Sequence, residues 1–125
     1  MYNHNDFSEL IGKTLTAIGG AEVGNDCIIF ETTDGDIYKL YHYQDCCESV
    51  DIEDINGDPN DLIGLPILLA EEATSEENPD GYIPEYQDSF TWTFYKIATN
   101  KGYVVIRWYG ESNGYYSESV DFVKL

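Results

Sequence analysis

Phe90-Thr91-Trp92-Thr93-Phe94-Tyr95-Lys96-Ile97-Ala98 and Tyr103-Val104-Val105-Ile106-Arg107-Trp108-Tyr109, joined by Thr99-Asn100-Lys101-Gly102, decide the fold class. Both runs are dense in aromatic and β-branched side chains, which suit a pleated, half-buried surface. The linker between them carries a turn glycine, so the pair reads as a β-hairpin. Working outward, Thr14–Ile18, Cys27–Thr32 and Asp36–Tyr43 are shorter runs of the same kind, the last two joined across Thr33-Asp34-Gly35. Val50, Ile52 and Ile55 alternate with acidic residues, as in a strand with one wet face. Pro66–Ala70 reads as a further strand.

Two short helical turns interrupt this pattern. Asn5 and Asp6 precede Phe7, Leu10 and Ile11, with Gly12 as terminator, and Asp58-Pro59 opens a second turn that Leu62-Ile63 fill and Gly64 ends. The expected fold is therefore mostly β with a minor helical part. It would be a single compact antiparallel sheet, a sandwich or a partly open barrel, in one domain over residues 1–125. The segment 71–88, acidic and holding two prolines, reads as an exposed loop.

An internal repeat is also visible. Glu48-Ser49-Val50-Asp51-Ile52 returns as Glu118-Ser119-Val120-Asp121-Phe122, and Ile37–Tyr41 aligns with Val105–Tyr109. The alignment makes Lys39 and Arg107 equivalent and would bring them together near a pseudo-twofold axis.

Charge narrows the function. Asp and Glu total 24 against 6 Lys and Arg, a formal net charge of −18. Such a chain repels nucleic acid and anionic membranes. No basic residue falls between Lys39 and Lys96, while fourteen acidic ones lie from Asp45 to Asp88. This stretch is either a solvated face or a patch that imitates phosphate charge and steers the domain onto a basic protein surface, with Asp51, Glu53, Asp54, Asp58 and Asp61 as its members. The longest apolar run is too short for a membrane-spanning helix and the amino terminus lacks a signal-peptide pattern, so a cytoplasmic protein is expected, in the host cytoplasm if phage-encoded.

His42-Tyr43-Gln44-Asp45-Cys46-Cys47-Glu48 brings an imidazole, two thiols and two carboxylates together. A nucleophilic cysteine here would work against the surrounding negative field, which raises thiol pKa. A zinc site built on His42, Cys27 and one of the adjacent cysteines would lack a ligand. The competing reading has the cysteines filling space as free thiols while Gln44 and Asp45 satisfy backbone groups. Asp54–Asp61 has oxygen donors at intervals, but Gly57 does not fall in the register of a helix-loop-helix calcium site. The histidines are His4 and His42 alone, so acid–base chemistry would rest on carboxylates with no defined pair. No catalytic residue, metal or cofactor is assigned.

Glu111–Glu118 has the Tyr, Ser, Gly and Asn content of a recognition loop. With Lys39 and Arg107, the side chains of Tyr109, Tyr115 and Tyr116 form a second candidate site, for a small anionic nucleotide whose base would stack on tyrosine. Trp92 and Trp108 read as core. Leu10-Ile11-Gly12-Lys13, His42–Val50 with its Gln-Asp-Cys-Cys-Glu centre, and Arg107-Trp108-Tyr109-Gly110 to Ser117 together resemble a family of small uncharacterised proteins of bacteriophages and bacteria. The resemblance spans nearly the whole chain and implies a setting in which small inhibitors of host defence occur; it assigns no residue a role.

The leading expectation is a non-catalytic binding protein that acts through the acidic stretch on a host protein with a basic surface. The alternatives are a sponge for an anionic nucleotide signal and a Cys/His catalytic or metal centre. Homo-oligomerisation is open.

Overall fold

The computed structural model describes residues 5–125; His4 lies outside them. Eight strands follow in chain order: β1 (Leu15–Gly19), β2 (Cys27–Thr32), β3 (Ile37–Tyr41), β4 (Ser49–Asn56), β5 (Leu69–Ser75), β6 (Ser89–Thr99), β7 (Gly102–Ser112) and β8 (Asp121–Lys124). They form two antiparallel four-stranded sheets, ordered β1-β2-β3-β8 and β4-β7-β6-β5, and not a closed barrel. The β6–β7 hairpin runs in unbroken register from Ser89↔Ser112 to Thr99↔Gly102, as its composition predicts. Among the described residues no helix is long and apolar enough to cross a membrane.

Alternation along each strand sends one face inward. Ile28, Phe30, Tyr38, Leu40 and Phe122 from the first sheet share one core with Val50, Ile52, Tyr95, Ile97, Ile106 and Trp108 from the second. Phe7 closes this core from a 3-10 turn (Phe7–Leu10), its ring 4.6 Å from Tyr95 and 5.1 Å from Phe122 between centroids. The second expected turn is the 3-10 helix Pro59–Leu62.

The repeat extends further than the Glu-Ser-Val-Asp motif. Asp6…Leu10-Ile11-Gly12 matches Asp58…Leu62-Ile63-Gly64: each aspartate caps its turn by accepting from the N–H two residues on, Ser8 at 2.9 Å and Asn60 at 3.0 Å. Each glycine leaves the turn with positive φ, 87° and 90°, which a side chain would resist. The two halves then clasp: Gly12 N–H donates to the Ile67 carbonyl (2.8 Å), Gly64 N–H to that of Leu15 (3.0 Å), and Thr14 and Pro66 form an antiparallel bridge between them.

Strand pairing obeys the same relation with an exchange. Each half contributes a three-stranded meander to its own sheet and sends its fourth strand to the other: Asp51↔Tyr109 and Ile52↔Trp108 on one side correspond to Asp121↔Tyr41 and Phe122↔Leu40 on the other.

Three expectations need correction. Lys39 and Arg107 are equivalent, but they do not meet. Lys39 lies between inward-facing Tyr38 and Leu40, and Arg107 between Ile106 and Trp108, so they project from opposite outer faces of the two-sheet core. The strand expected at Pro66–Ala70 begins at Leu69 and continues to Ser75, five residues into the segment expected as loop. An edge strand beyond Ala70 has no second layer to bury against, so it carries no apolar alternation; pairing of Glu71 with Lys96 and of Glu72 with Tyr95 holds it instead. Finally, Cys46 and Cys47 are bonded to each other, and only Cys27 is a free thiol. The expectation of free thiols at Cys46 and Cys47 is thereby overturned.

Candidate functional site at the loop end of the second sheet

The loop between β3 and β4 is organised from within. Glu48 is buried, and its Oε2 accepts from the Asp45 N–H (2.8 Å) while Oε1 accepts from the Cys46 N–H (2.9 Å). The Gln44 amide donates to the carbonyls of Cys46 (3.1 Å) and Glu48 (2.8 Å). His42, also buried, sits with Nε2 2.6 Å from Glu48 Oε2 and Nδ1 2.7 Å from the Ser119 carbonyl. That carbonyl can only accept, so Nδ1 donates to it, and Nε2 faces the Glu48 carboxylate. Burial pushes the Glu48 carboxyl up, but the bonds from His42, Cys46 and Asp45 outweigh it and hold it at about 2.

The distinctive Gln-Asp-Cys-Cys-Glu run therefore builds a rigid turn that presents Cys46–Cys47 to solvent. With both ring nitrogens engaged, His42 is not placed to serve as a base for a cysteine. Among the described residues no group of three or more His, Cys, Asp or Glu is arranged to hold a metal ion.

Beside this turn opens a cleft of about 300 Å³, lined by Cys47, Tyr86, Asp88, Glu111, Asn113 and Tyr116 among others. Tyr86 is 79% exposed, and Tyr115, 83% exposed, stands edge-on to Tyr116 with centroids 5.0 Å apart. A second cleft of about 300 Å³ adjoins it through Ser49 and is lined by Val23, Asp51, Glu53 and Tyr109. Burial, together with the charge of Asp26, raises the Asp51 carboxyl against a bond from Ser49 that lowers it. Burial and the Glu111 carboxylate, which accepts from the Tyr109 hydroxyl at 2.5 Å, raise the phenol of Tyr109.

The chain between β5 and β6 folds back to support these clefts. Asn78 and Gln87 exchange amide hydrogen bonds of 2.8 and 2.9 Å across it. Asn78 Oδ1 also accepts from Trp92 Nε1 (3.0 Å), and Gln87 donates to the Tyr109 hydroxyl (2.9 Å). Tyr82 stands edge-on to Trp92 at 5.0 Å. Trp92 is thus fully buried, although it lies on the outer face of its sheet.

The residues read from the sequence divide as follows. Tyr109 and Tyr116 line the two clefts and Tyr115 flanks one. Arg107 is committed: its Nε and one terminal nitrogen donate to Glu53 Oε1 at 2.8 and 2.5 Å, and the guanidinium lies 5.2 Å from the Trp92 ring. Lys39 lies over Tyr41 at 4.2 Å on the other sheet. Of the acidic set, Asp51, Glu53 and Asp54 lie along β4, an edge strand, whereas Asp58 caps the second 3-10 turn and Asp61 follows within it. Residues not foreseen are Tyr86 in the cleft and Asn78, Gln87 and Tyr82 behind it. Their signal was the two amides and two tyrosines inside an otherwise acidic segment, more polar-aromatic than a solvated loop requires.

These features define a two-sheet antiparallel β domain, internally duplicated, whose loop-end clefts are lined by tyrosines and carboxylates. The chain belongs to the family described as a domain of unknown function (DUF7448), whose model matches residues 8–122. No curated protein and no solved structure matches the chain.

Proposed function

We propose that the domain is a non-catalytic binding protein whose β4 edge and adjoining tyrosine-lined clefts engage a basic surface on another protein. The observation that carries this reading is the distribution of charge. The two clefts hold Asp51, Glu53, Asp88 and Glu111 and no lysine or arginine. Five of the six cations are occupied away from the clefts, Lys13 and Lys124 on Asp36, Lys39 and Lys96 over Tyr41 and Tyr103 and Lys101 on the Ile63 carbonyl, and the sixth, Arg107, is ion-paired with the cleft residue Glu53. A pocket for an anionic nucleotide would need cations facing it, and this distribution counts against the sponge reading. Exposed tyrosines add contact area at small entropic cost. In a phage setting the partner would be a host defence protein, and the carboxylates would occupy the surface it uses for nucleic acid.

The test is the association rate of the purified pair as a function of salt. Asp51→Asn combined with Asp54→Asn should slow association about tenfold at low salt while changing dissociation little. A rate indifferent both to salt and to these substitutions would defeat the proposal.

A further inference from the structure

Three of the four edge strands are each met at one residue by backbone hydrogen bonds from neighbouring segments. Gly64 meets the start of β1 at Leu15 (3.0 Å), Gly24 and Asn25 meet β4 at Ile52 (both 2.8 Å), and Asn5 meets β8 at Phe122 (2.7 Å). β5 is the fourth edge, terminal in the second sheet. Among the described residues, no backbone group outside the sheet bonds to Glu71–Ser75. An open edge of this kind is a ready template for another strand.

Charge decides which strand. Glu71 and Glu72 stand on the edge, and Glu76 and Glu77 follow directly. Two copies meeting along β5 would press these carboxylates together, so the edge disfavours a second copy of this chain. At each end lies a recess. One of about 590 Å³ opens between the Phe7 turn and Ala70, Glu71 and Glu72; the other, of about 480 Å³, is lined by Thr74, Ser75, Glu76 and Glu77 with Thr91.

We propose that β5 is a strand-addition site for an extended, lysine- or arginine-bearing segment of a partner protein. Backbone pairing along Glu71–Ser75 supplies affinity, and the acidic recesses select basic side chains. At roughly 3.3 Å per residue the recesses are about 13–17 Å apart, so two basic residues about four positions apart on the incoming strand reach both. This surface lies at the opposite edge of the sheet from β4 and stands independently of the reading above.

The test uses the intact chain and a capped ten-residue peptide of alternating valine and threonine with two lysines four positions apart, followed by amide hydrogen exchange. A second peptide carries the same side chains with alternate backbone nitrogens methylated. The first should slow exchange of outward-facing amides in Glu71–Ser75 at least about tenfold, the methylated one should not, and Glu71→Gln with Glu77→Gln should weaken binding about tenfold. Equal binding of the two peptides, protection confined to other strands, no binding by either peptide, or self-association of the chain through β5 would each overturn the proposal.

Discussion

Glu48 is a carboxylate shut away from water, and its neighbours decide what acid does to it. Its ordinary value is 4.5 and its value in the fold is about 2. The unfolded chain therefore takes up this proton more readily than the folded one, and the stabilisation that follows is complete above pH 4.5 and lost as pH falls toward 2. Glu48→Gln should remove that dependence in an acid titration followed at the Asp45 and Cys46 amides. His42→Ala should be the more damaging change, because it leaves the buried carboxylate without its side-chain hydrogen-bond partner. A contrasting case is the pair Thr93 and Trp108, opposite each other in the β6–β7 ladder, whose Oγ1 and Nε1 are buried without hydrogen-bond partners among the described residues. Thr93→Val removes an unsatisfied hydroxyl at nearly constant shape, so thermal unfolding should show unchanged stability or a gain of up to about 1 kcal/mol. None of this was legible beforehand: the sequence put His42 and Glu48 close together, but it did not reveal that Ser119, from the other half of the chain, completes the pair.

At the level of elements, composition located six of the eight strands and both helical turns, because pleat periodicity and turn residues act over a few positions; it set β5 three residues early and showed β8 only as the returning Glu-Ser-Val-Asp motif. It failed where tertiary pairing overrides local pattern, at β5 and in the chain that follows it. That chain looked like solvated loop because its value lies in side-chain amides and not in apolar spacing. Asn78→Ala should break its clasp and leave Trp92 Nε1 unpaired, costing about 1–3 kcal/mol in denaturant unfolding and shifting the emission of that tryptophan to the red. The turn between β7 and β8 passes equally close to its own sheet. A Cβ added at Gly110 would stand 2.5 Å from the Glu118 carbonyl, so Gly110→Ala should destabilise by about 1–3 kcal/mol, measured in the same way.

For the molecule as a whole, charge and connectivity set the behaviour. A net charge of −18 on 125 residues repels itself in the folded state, and moderate salt should raise the melting temperature by screening it. The duplication was half legible: Glu-Ser-Val-Asp was seen twice, but the matching turns at Asp6 and Asp58 went unnoticed, and nothing in a linear alignment says that the fourth strands change sheets. That exchange also governs the order in which the protein can be made. As the chain leaves the ribosome, β3 is complete long before its partner β8 exists, with Tyr41 and the Asp121 it faces eighty residues apart. At about 5–20 residues per second, the first sheet waits several seconds with its β3 edge bare, and β4 waits likewise for β7. The second sheet can close once β7 has emerged, but the first stays unfinished until β8 is made, so the nascent chain depends on its dense negative charge to keep the bare β3 edge unaggregated until then.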